Sequence, residues 1–183
     1  MQILEAVNLI LPKLGEHTVT AVDVKHPTLA IILPLLEQKR KEILLKGWWF
    51  NEYDTVLYPD AEGKIAAPVT VLAFRSDYVD VVFRGPALYN LVERSYTFTD
   101  PVSGTLTEDV SFELLPESIA NFILYSACVQ AYATDIGLEK VVQVWDQESR
   151  AANAAATAEH LRNKNYSTRR SPRWWRFVHA LRG

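Results

Sequence analysis

Twenty-two carboxylates, four histidines and one cysteine are the side chains with which catalysis by this 183-residue chain would ordinarily begin. The histidines, His17, His26, His160 and His179, never recur at the spacing that sets two imidazoles on one helix face against a zinc ion. Cys128 is the single thiol, which excludes an intrachain disulfide and a cysteine-based metal site. It lies in the apolar run IANFILYSACVQAY, where a thiol packs as a small inert hydrophobe. No G-x-x-x-x-G-K-[ST], G-x-G-x-x-G or G-x-S-x-G motif occurs among the seven glycines. No two carboxylates can be paired by spacing for acid–base or glycosidic chemistry. The sequence therefore nominates no catalytic residue, no metal ligand and no cofactor site, and it points to a structural or binding role.

Two segments carry positive signals. The first is Lys46-Gly47-Trp48-Trp49-Phe50-Asn51, which closes an amphipathic stretch and enters a β-rich one. Each large ring can bury about 150–250 Å², so Gly47, Trp48, Trp49, Phe50 and Asn51 are expected to form a hinge core that fixes one part of the fold against the other. The second is the C-terminal run YSTRRSPRWWRFV, in which arginines and aromatic rings interleave. Arg169, Arg170, Arg173, Trp174, Trp175, Arg176 and Phe177 are of the residue types that dominate interface hot spots. Three readings are open: a docking arm that orders on a protein partner, a nucleic-acid contact with Arg on phosphate and Trp on bases, and an interfacial membrane contact. Charge sharpens the picture. No acidic residue follows Glu159, whereas seven bases lie between Arg162 and the C-terminus. The preceding body is left with twelve bases against 22 acids, a net charge of −10 beneath a formal total of −3.

The elements that must position these segments follow from periodicity. Apolar residues at Ile3, Ala6, Val7, Ile10 and Leu14 predict a helix over residues 2–14, closed by Gly15. Leu29, Ile32, Leu33, Leu36, Ile43 and Leu44 predict a second over residues 28–46, with Pro34 kinking it or setting its true start. The charged stretch 37–42 should be a solvated face or a subunit contact. From residue 48 to 115, turn signals alternate with β-rich runs at 69–74, 79–83 and 96–99, which predicts an antiparallel sheet. Its clearest hairpin is expected over residues 96–107, with the tip near Ser103-Gly104. Helices resume at Pro116 and run to about 136, and after Gly137 from 138 to about 161, the last one alanine-rich. The expected fold is α+β: a four-helix bundle (residues 1–50 and 116–162), a β-rich antiparallel insertion (51–115) and an extended C-terminal tail (163–183). No apolar run approaches the roughly 20 residues of a membrane span. The opening MQILEAVNLILPKLGEH lacks a basic region and reads as a folded helix, not a secretory signal. A lone cysteine suits a reducing cytoplasm.

In order along the chain come AVNLILPKLGE from Ala6, KGWWFN ending at Asn51, LYPD from Leu57, RGPALYN from Arg84 and FELLPE from Phe112. This series resembles the tail tubular protein A family, the head-to-tail adaptors of short-tailed bacteriophages, over about residues 6–162. The resemblance implies a non-enzymatic virion protein in a twelve-subunit ring, lying between the portal protein and the tail nozzle (a tail tubular protein B-like partner), with viral DNA passing through its centre. It implies that the C-terminal arginines and tryptophans anchor the subunit on the portal or on a neighbouring adaptor, and no membrane partner. The runner-up function is a nucleic-acid-binding module acting through the basic aromatic tail.

Overall fold

The computed structural model describes residues 1–22, 25–135 and 140–164. α1 (Ile3–Ile10) continues as a 3₁₀ turn, Leu11–Leu14, because Pro12 cannot donate within an α-helical ladder. Gly15 then closes it at φ +78°, a left-handed conformation that costs glycine little. The following loop is tied back to α1 by Asn8, whose amide exchanges two hydrogen bonds with the Val19 backbone at 2.8 and 2.9 Å.

α2 (Pro27–Leu44) starts with Pro27 in its first turn and runs through Pro34 without interruption. Pro34 removes the donor for the Ala30 carbonyl, but both residues lie on the exposed side, where water can take that bond. The buried stripe is Leu29, Ile32, Leu36, Ile43 and Leu44; Leu33, also expected there, is only half-buried, and Arg40 is an unexpected member. α3 (Glu117–Asp135) and α4 (Lys140–Asn163) follow the strands and pack against one another. All four helices contribute to one apolar cluster, which includes Ala6, Ile10, Leu29, Leu44, Ile123 and Ala156. Tyr125 and Tyr132 stack on Trp145 of α4 at 6.0 Å, and the Lys13 ammonium sits 4.0 Å above the same indole. Cys128 is buried here, and burial pushes its thiol up to about 12, consistent with an inert packing role.

Between α2 and α3 lie five strands in two antiparallel sheets. β1 (Glu52–Leu57), β5 (Val102–Glu108) and β2 (Val71–Ser76) form a three-stranded sheet in the order β1-β5-β2. β3 (Val81–Arg84) and β4 (Ala87–Asn90) form a hairpin turned at Gly85, whose φ is +64°. Ile65, Leu88, Phe98 and Val102 make a second apolar cluster within this region.

The expected hairpin over residues 96–107 does not form. Residues 96–99 make no strand. Single bridges tie Ser95 to Asn90 and Thr97 to Lys64, and the Phe98 amide donates to Gly63 at 2.7 Å. The alternation of Tyr96 and Phe98 reflects one ring seated in the second cluster, not a ladder. Ser103-Gly104 is no turn either: both lie inside β5, the central strand, opposite Val56 and Thr55 of β1. Glycine is needed at 104 because β2 crosses so closely there. A Cβ would overlap the Arg75 carbonyl oxygen and come within 2.8 Å of the Phe74 ring and the Ser76 Cα. Two of the obstacles are backbone, so relief requires the strands to part. Gly104→Val should destabilise the fold by about 1–3 kcal/mol, seen as a lower urea midpoint with an unchanged slope; an unaltered midpoint would refute the close approach.

Candidate functional site

The junction between α2 and β1 holds two of the buried polar residues, Arg40 and Asn51. Gly47, at φ +72°, turns the chain out of α2, its amide donating to the Leu44 carbonyl at 3.1 Å. A side chain there would strike the Glu52 carboxylate. Trp48 is buried and its indole N–H donates to the Ile43 carbonyl at 2.8 Å. Asn51 is wholly buried. Its Oδ1 accepts from the Trp48 amide at 2.8 Å, and its Nδ2 donates to the carbonyls of Leu44 at 3.2 Å and Glu108 at 2.9 Å. Its backbone carbonyl accepts from the Glu108 amide at 2.7 Å. One amide side chain thus joins the end of α2, the tryptophan turn and the end of the central strand β5. Trp49 and Phe50 are half-buried and meet edge to face at 5.1 Å.

Arg40 is the second tie. The residue is 7 % exposed, and its guanidinium holds Glu37 with a fork of bonds at 2.6 and 2.9 Å, one turn away on α2. From the other side it grips the Asp109 carboxylate and the Val110 carbonyl, directly after β5. The Glu37 hydrogen bond, then Asp109, raises the pKa of Arg40, while the Arg40 bond lowers that of Glu37. The charged stretch 37–42 is therefore not simply a solvated face: Lys39–Glu42 at 2.7 Å and Lys41–Glu37 at 3.4 Å are exposed or half-exposed pairs, but Arg40 is a buried clamp. Arg40 sits four residues after Leu36 and three before Ile43, on the apolar stripe, and that position was the available sign of burial.

α4 reaches the same junction from its far end. His160 packs edge to face on Trp48 at 5.6 Å, and Lys164 pairs with Glu52, the first residue of β1. Burial and the neighbouring Lys164 lower the pKa of His160, against an opposing pull from Glu52. Along α4, Ala152 and Ala156 face inward, whereas Ala151, Ala154, Ala155 and Ala158 are exposed together with Val144 and Leu161. The arrangement is suited to holding surfaces in fixed relation. Among the described residues, no group of three or more His, Cys, Asp or Glu side chains could hold a metal ion. No helix among them is long and apolar enough to cross a membrane. Of the residues singled out from sequence, Gly47 to Asn51 come together at this junction, whereas Arg169, Arg170, Arg173, Trp174, Trp175, Arg176 and Phe177 lie outside the described residues.

Comparison with known proteins bears on the role of such a scaffold. The family profile described as tail tubular protein matches residues 4–166. The chain is 31% identical over 184 aligned residues to tail tubular protein A of Klebsiella phage KP34, an alignment that spans 100% of this chain and 97% of that relative.

Two outcomes are expected of the junction. Asn51→Ala leaves the Trp48 amide and two carbonyls without a side-chain partner in a dry site, and should lower unfolding free energy by about 2–3 kcal/mol in urea titration. His160 has a folded-state pKa below its ordinary 6.5, so between the two values the unfolded chain binds more protons. Its contribution is complete above about pH 6.5 and is lost as pH falls from there. The urea midpoint should drop between pH 7.5 and 5.5, and the drop should be smaller in His160→Gln; an equal drop in both would remove His160 from the account.

Proposed function

The chain belongs to the tail tubular protein family, a structural component of the phage virion tail, and on that premise we propose that it is the head-to-tail adaptor. In this reading, copies close into a ring, twelve by family resemblance, beneath the portal and above the tail nozzle. Viral DNA leaves through its centre. The observation that carries the proposal is the extent of the likeness, which runs through helices, strands and tail alike.

Physical features support the same reading. A ring repeats one heterologous contact until it closes, and the exposed alanine face of α4 lets a neighbouring backbone approach closely. A body of net charge −10 repels phosphate and so does not retain passing DNA. Residues 1–50 and 116–162 would act as the helical unit, 51–115 as the inserted unit, and 163–183 as a docking arm whose Arg169, Arg170, Arg173, Trp174, Trp175, Arg176 and Phe177 seat on the portal or on the next adaptor. The synthesis of such a protein would take place in the host cytoplasm.

The test mixes purified chain with portal particles from the same phage and examines the product by electron microscopy and sedimentation. The chain should add a closed ring to one end of the portal. Trp174→Ala with Trp175→Ala should weaken that association at least tenfold, as loss of two hot-spot rings does, without altering the circular dichroism of the free chain. Portal binding unchanged by these substitutions would remove the docking role of the tail. Steeply salt-dependent affinity of the free chain for duplex DNA, lost in the same variant, would favour nucleic-acid binding instead.

A further inference from the structure

Within the sheet region, the ends of three loops enclose a cavity of about 180 Å³, whose walls include Ser76, Tyr78, Asn90, Glu93, Phe98 and Asp100. Glu93 and Asp100 come from different loops, one after β4 and one before β5. Among the described residues neither is in an ion pair; Asp100 accepts from the Thr99 hydroxyl at 3.1 Å. Asn90 is 5 % exposed. Its Oδ1 accepts from the Val92 and Glu93 amides at 2.9 and 3.1 Å, which shapes the turn that carries Glu93. Its Nδ2 makes no hydrogen bond to any described residue, so a buried donor on the cavity wall is left unmatched by protein groups. Ser76 Oγ also accepts, from the Tyr78 and Val79 amides at 3.3 and 3.2 Å, and keeps its O–H to donate.

We propose that this cavity receives an arginine side chain of a partner protein. The wall offers two anionic acceptors and two neutral donors, and the occupant must complement both. An inorganic anion is repelled by the carboxylates, and a bare metal ion by the Asn90 amide hydrogens. An arginine within a peptide satisfies both halves at once. Its guanidinium donates to Glu93 and Asp100, and its peptide carbonyl accepts from Asn90 Nδ2. Carboxylates on two separate loops suit the planar fork of a guanidinium better than the single point of an ammonium, and Tyr78 and Phe98 supply rings for it to stack on. Size agrees, since whole small-molecule sites run to about 300–1,000 Å³, and this smaller cavity takes one side chain. Asp77 and Asp80, exposed beside the lining residues in the chain, extend the negative field that draws a cation in. The site belongs to the free chain and is independent of the adaptor reading.

Nuclear magnetic resonance of the full-length chain, isotopically labelled on nitrogen, tests it. The chain is titrated with N-acetyl-L-arginine amide and with its uncharged isostere, N-acetyl-L-citrulline amide. The arginine compound should give saturable shifts of the Asn90 side-chain amide and of the Glu93 and Asp100 backbone amides, with a midpoint on the order of millimolar. The citrulline compound should bind about tenfold more weakly. Glu93→Gln with Asp100→Asn should weaken the arginine compound by a similar factor, with α3 signals unchanged. Absence of saturable shifts with the arginine compound would overturn the proposal. So would equal midpoints for the two compounds, or a midpoint unmoved by the paired substitutions, since either shows that the carboxylates hold no cation.

Discussion

The buried amide of Asn51 is the constraint on which the remaining architecture rests. It satisfies three backbone groups from separate stretches of chain, at Leu44, Trp48 and Glu108, in a site from which water is excluded. A buried polar network of this kind has value only when complete, because each unmatched member retains its desolvation cost. Completion fixes the exit angle of α2 and the anchor point of β5 together. Arg40 repeats the logic one turn earlier, reaching from α2 to Asp109 and Val110. A buried ion pair of this sort adds little net stability over a hydrophobic substitute, but it permits one geometry only. The helices and the central strand are thereby held in a single relative orientation.

From that junction outward the chain's properties divide. The helical cluster is apolar, with Trp48 and Trp145 as its largest buried rings. The sheet region is less buried, and its second cluster has four buried members. It holds its strands by close backbone approach at Gly104 and by turns at Gly63 and Gly85, both at positive φ. In the adaptor role proposed above, a junction tied by Asn51 and Arg40 would hold helices and sheet in fixed relation while each meets a different neighbour.

Helices were readable because their apolar spacing extends over many turns: the α2 stripe from Leu29 to Leu44 and the Gly15 terminus follow directly from it. The strand pairing was not readable. β1 and β4 are short and carry little alternation, and β5 holds a glycine where a turn glycine would be expected. That glycine is explained only by the Arg75 carbonyl from another strand, a contact 29 residues away in the chain. The tryptophan turn was recognisable as a junction by bulk and position, but the part played by Asn51 was not, since nothing local distinguishes a buried asparagine from one in an exposed turn. Arg40 occupied a visible stripe position, while its partner Asp109 lay 69 residues distant.

In the proposed adaptor, the Asn51 junction holds helices and sheet as one body. Cryo-electron microscopy of virions carrying this chain, at a resolution that separates strands, tests that claim most directly. The account predicts a closed ring of copies at the head–tail junction, each fitted by the helices and sheet as one body with the Asn51 contacts intact. Absence of the chain from that junction, or copies that fit only after the sheet is rotated about residues 47–51, would contradict it.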